Sequence, residues 1–130
     1  GPLLDRIDMH LEVPPLDYTH LTDKKDYESS KTIRERVSKA RDLQRRRYNS
    51  ENKSNSNLNP KEIKKYCNLT DEANNILKSA IIELNLSGRA YDKVLKLALT
   101  ISDLTGKDMI DVASVSEAIG YRSLDRSIWL

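Results

Sequence analysis

The sequence predicts a mostly α protein, a bundle of helices with one short strand near its beginning, and three observations carry that expectation. The run Leu86–Gly106, LSGRAYDKVLKLALTISDLTG, repeats apolar residues at helical spacing between a serine cap and a glycine stop. Leu, Ile, Val and Ala supply the apolar positions while aromatic residues are 5% of the chain and Phe is absent, a composition that suits helix packing better than a β-sandwich. Residues 7 to 13 alternate, with Ile7, Met9, Leu11 and Val13 apolar and Asp8, His10 and Glu12 polar before Pro14-Pro15, which is the pattern of a strand.

Taken in order, that strand is followed by residues 16 to 28, which lack periodicity and read as a linker. No second segment alternates in the same way, so the strand reads as the last one of a sheet whose other strands lie elsewhere, or else as an edge element packed on helices. A helix is expected from Ser29 or Ser30, with Ile33, Val37, Ala40 and Leu43 as a narrow apolar stripe. The polar stretch 49 to 59 reads as a flexible loop that no core could use. Asn59 with Pro60 opens a short helix through Tyr66, and Thr70 with Asp71 and Glu72 opens a longer one along Ala73, Ile76, Leu77, Ala80, Ile81 and Leu84.

The run that begins at Ser87 has apolar residues on more than one side, at Val94, Ala98 and Ile101 and again at Tyr91, Leu95 and Leu99, so it is expected to be the central buried helix. Beyond Gly106, Ile110 and Val112 read as an extended connection, and Ser114 as the cap of a last helix to about Tyr121. The tail holding Leu124, Ile128 and Trp129 either docks or frays.

With 130 residues the chain suits one domain with a real core. Its formal charge of +2 singles out no partner. One cysteine, Cys67, excludes an intramolecular disulfide and reads as structural, because no histidine stands near it in sequence. No Cys and His set has zinc spacing, and no apolar run approaches the length of a membrane span, so the expectation is a cytoplasmic protein with no metal of its own and no membrane partner. Walker A, HExxH and GxSxG patterns are absent, so this stretch alone is not expected to be an enzyme.

Two arginines suit phosphate chemistry. Arg89 stands in the first turn of the central helix, where the helix dipole favours carboxylates, and Arg6 precedes the predicted strand. A planar guanidinium with five donors fits a phosphate whose charge spreads during transfer. Spacing alone favours ion pairs instead, Arg6 with Asp5 or Asp8 and Arg89 with Asp92 or Glu83. The first long helix poses a similar choice. Between Ser29 and Asn49 it holds Lys31, Arg34, Arg36, Lys39, Arg41, Arg45, Arg46 and Arg47 against Glu35 and Asp42, a net charge of +6. Such a face serves either as a nucleic-acid surface or as a solvated one.

Three ordered blocks carry a resemblance that changes these weights. GPLLDRIDMHLEVP resembles the end of the AAA+ core in magnesium-chelatase-like ATPases of the ComM (YifB) type; IRERVSKARDLQRRR matches the same family through Arg34, Val37, Ala40, Arg41, Gln44 and Arg47; and LSGRAYDKVLKLALTISDLTG with the later YRSLDR resembles the family's helical lid. The resemblance implies that residues 1 to 15 end the core, that 29 to 130 form the lid, and that Walker A and Walker B precede the chain. It implies that Arg6 is an arginine finger offered in trans to a neighbour's ATP, and that Arg89 is the sensor-2 arginine facing the γ-phosphate, in cis or in trans. ATP and Mg²⁺ then belong to the full-length protein and none to this stretch alone. The implied partners are its own AAA+ core, neighbouring subunits of a homo-hexameric ring, and DNA, in branch migration or helicase-like work; this stretch alone is expected to be a monomer. Lys31, Arg34, Arg41, Arg45, Arg46 and Arg47 are the candidate DNA contacts. The alternative is a non-enzymatic helical module for DNA binding or oligomerisation.

Overall fold

The computed structural model describes residue 3, residues 6–15 and residues 27–122. The proposed linker is therefore described only at 27 and 28, and the tail with Leu124, Ile128 and Trp129 lies outside the described residues, as does His20. In chain order the elements are α1 (Ser30–Tyr48), a 3₁₀ turn (Asn55–Asn57), α2 (Pro60–Tyr66), α3 (Asp71–Leu84), α4 (Gly88–Thr105) and α5 (Val112–Gly120). The mostly α expectation holds. No described helix is long and apolar enough to cross a membrane.

Capping chemistry sets most boundaries. The side chains of Ser29, Asn59, Thr70 and Ser87 each accept a backbone N–H from the third residue on, which satisfies one of the free amides of a first turn. Asn59 and Glu62 form a reciprocal capping box with Pro60 at the first helical position. Gly106 ends α4 with a left-handed φ of 71°, where a side chain would be strained.

α4 is the central helix, and it packs against α1, the 3₁₀ turn, α2 and α5, while α3 closes on α5. Val94, Leu95, Ala98 and Leu99 of α4 meet Leu58, Ile63, Cys67, Ala73, Leu77, Ile110, Val115 and Ala118 in one core. Burial pushes the Cys67 thiol up to about 11, in keeping with a structural cysteine.

Four expectations need correction. Residues 7–13 form no strand: Ile7, Met9, Leu11 and Val13 are exposed, and His10, a polar position of the pattern, is the buried one at 8% exposure. Alternation fixes a strand only when a neighbour supplies the ladder, and among the described residues the one β-like pairing is an isolated parallel bridge between Leu69 and Ile110. The 49–59 stretch, read as unusable by a core, buries Asn55 and Leu58, each 3% exposed. The apolar stripe of α1 is buried only at Ala40, with Leu43 half-buried; every residue from Ser30 to Lys39 is exposed, including Ile33 and Val37.

The last helix starts three residues earlier than expected. Asp111 caps it, accepting the amide of Ser114 at 2.9 Å, so Ser114 is inside the helix and Val112 is its first residue. Lys107 holds the other carboxylate oxygen, and these hydrogen bonds keep the Asp111 carboxyl well below its usual range, at about 2. Because its folded pKa is depressed, its stabilising effect is complete above the unfolded value of ~3.9 and is lost as pH falls toward about 2. Acid titration followed by helical circular dichroism is expected to show Asp111→Asn with a shallower loss of stability than the native chain across that window; equal slopes would contradict the assignment.

Candidate phosphate site and basic helix

Ser87 caps α4 through Ala90, which leaves Arg89 exposed in the first turn with its stem at the bundle's edge. The irregular segment before the bundle brings Arg6 to the same place. Arg6, Arg89, Asp92, Lys93 and Lys96 line one surface depression of about 390 Å³, four cations around a single carboxylate. Two of the cations are engaged: Lys93 pairs with Asp8 at 2.5 Å, and Lys96 donates to the carbonyl of Ser56 at 3.3 Å. Asp8 therefore goes to Lys93 and not to Arg6. Among the described residues Arg6 does not pair with Asp8, nor Arg89 with Asp92, and Asp5, the other partner that spacing offers Arg6, lies outside the described residues. What the arrangement offers is two guanidinium forks on a positively charged shelf, suited to an anion with several oxygens.

The basic residues of α1 separate into three kinds. Arg47 faces the bundle: Nη2 and Nη1 reach the carboxylate oxygens of Asp103 on α4 at 2.6 and 3.0 Å, so it is withdrawn from the candidate DNA contacts. Asp103, its side chain 1% exposed, also accepts from Gln44 at 3.2 Å and from Asn55 at 2.9 Å. Asn55 donates to Thr100 as well and accepts from Tyr48, so the polar cluster that joins α1, the 3₁₀ turn and α4 is densely bonded. Arg41 and Arg45 are half-buried and engaged, Arg41 with Gln44 at 2.8 Å and Arg45 with Asp42 at 2.8 Å and Glu51 at 3.5 Å. Lys31, Arg34 and Arg46 are exposed, with no carboxylate at ion-pair distance among the described residues.

Sequence reasoning missed Asp103, Asn55 and Gln44 as the partners of Arg47, and it missed Arg122. The signal for Asp103 is its place four residues after Leu99 and eight after Leu95, on the buried side of α4. Arg122 follows α5 and is 1% exposed. No local pattern marks it as buried.

The structure defines a small helical bundle whose central helix carries Arg89, Lys93 and Lys96 along its first half, with Arg6 beside them. The chain belongs to the magnesium chelatase, subunit ChlI C-terminal family, which matches residues 27–122. It is 42% identical over 127 residues to competence protein ComM of Haemophilus influenzae and 39% identical over 128 residues to YifB of Escherichia coli. It is 27% identical over 123 residues to Rv2897c of Mycobacterium tuberculosis. These alignments cover 97%, 97% and 94% of the chain and 24% of each relative, so the chain spans about a quarter of their length.

Proposed function

We propose that this chain is the helical lid, together with the arginine-bearing segment ahead of it, of a ring-forming AAA+ ATPase that acts on DNA. Arg6 is its arginine finger, and Arg89 its sensor-2 arginine. The observation that carries this reading is the meeting of Arg6 and Arg89, far apart in sequence, at one surface depression. Phosphoryl transfer needs little covalent help from the protein and much positioning and charge stabilisation, which two guanidinium forks supply. The two guanidinium groups fit the phosphates of ATP. Among the described residues no cluster of three or more His, Cys, Asp or Glu side chains could hold a metal, so on this reading Mg²⁺ is held by parts of the ATPase outside the stretch described. Bound ATP supplies the bond that is broken; Arg6 and Arg89 orient its terminal phosphate and offset the charge that builds on it. Their convergence favours one nucleotide read by both arginines, and with Arg6 acting in trans that nucleotide is the neighbour's. One relative is named a competence protein, which supports a link to competence; the work on DNA, in transformation or recombination, is the proposed part.

The test is subunit mixing in the full-length ATPase. Arg6→Ala subunits and subunits unable to bind their own nucleotide are each expected to be inactive alone and to regain turnover when mixed, because the intact finger of one reaches the intact site of the other. No recovery on mixing would contradict a finger in trans.

A second reading, that α1 contacts DNA directly, is favoured by Lys31, Arg34 and Arg46 standing exposed, with no carboxylate partner among the described residues. Each phosphate contact steepens the salt dependence of binding by ~0.9 in log–log slope. Replacing all three by Ala is expected to lower the slope by up to about 3 in fluorescence anisotropy with duplex DNA. A native chain that does not bind at low salt would dismiss this reading.

A further inference from the structure

The segment that carries Arg6 is irregular, yet it is fastened to the bundle at three points. The guanidinium of Arg122, buried just past α5, donates from Nη1 to the carbonyl of Ile7. The carbonyl of Tyr121, one residue before it, accepts the amide of His10 at 2.7 Å. On the other side Asp8 pairs with Lys93, one helical turn along α4 from Arg89. The acceptor for Arg122 belongs to the residue directly after Arg6, so this bond fixes the backbone point from which the Arg6 side chain departs. A main-chain acceptor also makes the contact independent of which side chain stands at position 7. Withdrawing a guanidinium from water is costly unless its donors are met, so Arg122 has a strong reason to keep the segment in place.

We propose that Arg122 is a positioning residue for Arg6: it clamps residues 7 to 10 to the end of α5, so that Arg6 and Arg89 are carried by one body and reach an anion together. The proposal rests on the reading of Arg6 and Arg89 as phosphate readers, and its consequence is that motion of the lid moves the finger.

Two measurements test it. Nitroxides placed on this chain at Met9→Cys and Lys78→Cys report the clamp directly, since buried Cys67 resists labelling. The native distance distribution is expected to be narrow, Arg122→Ala to broaden it, and Arg122→Lys, which can still donate to the carbonyl, to narrow it again. Should Arg122→Ala fail to fold, Asp8→Ala releases the same segment from the exposed side and is expected to broaden the distribution to a smaller extent. In the full-length ATPase, Arg122→Ala is expected to lower kcat to within ~10-fold of the loss caused by Arg6→Ala, itself ~10³–10⁵ for a finger, and to cause no further loss when Arg6 is already Ala. An unchanged distance distribution overturns the clamp. An equal loss of kcat in both backgrounds assigns Arg122 to stability alone and leaves the reading of Arg6 intact. Normal turnover in Arg6→Ala overturns that reading and, with it, the role of Arg122, whatever the distances show.

Discussion

On the proposed reading, Arg89→Ala in the full-length protein is expected to lower kcat for ATP hydrolysis by several powers of ten, with Arg6→Ala close to it. An arginine that meets the developing charge of phosphoryl transfer is worth ~10³–10⁵ in rate. The size follows from charge: a guanidinium beside the transferring phosphate offsets the charge that builds on it. Arg89 stands exposed in the first turn of α4 beside buried Ala90. Neither change should disturb folding, because both side chains lie outside the core. Circular dichroism of the two variants is therefore expected to match the native protein, and a loss of helix would assign the effect to stability.

Asp103→Ala is expected to be the most damaging single change to the fold. The Asp103 carboxylate is almost fully buried and accepts from Arg47, Gln44 and Asn55. Removing one partner of a buried ion pair leaves the other charge stranded and costs about 3–5 kcal/mol. For a domain of this size that corresponds to a Tm lower by roughly 10–20 °C. Asp103→Asn keeps one acceptor oxygen but loses the charge and turns an NH2 toward groups that themselves donate, so it is expected to recover only part of the loss. Replacing both Arg47 and Asp103 by apolar residues should recover part of the loss, because no charge is then left alone. Thermal unfolding of the set decides the matter, and a Tm for Asp103→Ala within about 2 °C of native would contradict the network's role.

Much of this fold is legible in the sequence because helix ends are local chemistry. Ser29, Asn59, Thr70, Ser87 and Gly106 each mark a boundary with a residue type that satisfies free amides or tolerates a left-handed turn. Asp111 and Ser114 are both good caps three residues apart, and choosing between them depends on a distant strand-like contact, since pairing with Leu69 extends the chain at Ile110 just before Asp111. The polar cluster was hidden for a different reason. Asn55 sits in an Asn- and Ser-rich stretch that resembles a solvated loop, and only the meeting of α1 with α4 turns it into a buried hub.

The basic face of α1 illustrates how composition misleads. Arg46 and Arg47 are neighbours of like charge, yet one is exposed and the other points at a buried carboxylate, because adjacent helical residues lie ~100° apart. The two arginines of the candidate site were legible as residues, through their odd placement and the family resemblance. Their convergence was not. It depends on residues 7 to 10 being held by Tyr121 and Arg122, a contact that spans almost the whole chain and leaves no periodic trace.

The claim that Arg6 and Arg89 read one phosphate group is tested most directly by kcat for Arg6→Ala, Arg89→Ala and the double variant in the full-length ATPase. Groups that act as a unit on one charge are strongly non-additive, so the double variant is expected to be little worse than either single one. Losses that multiply, or single variants with near-normal turnover, would contradict it.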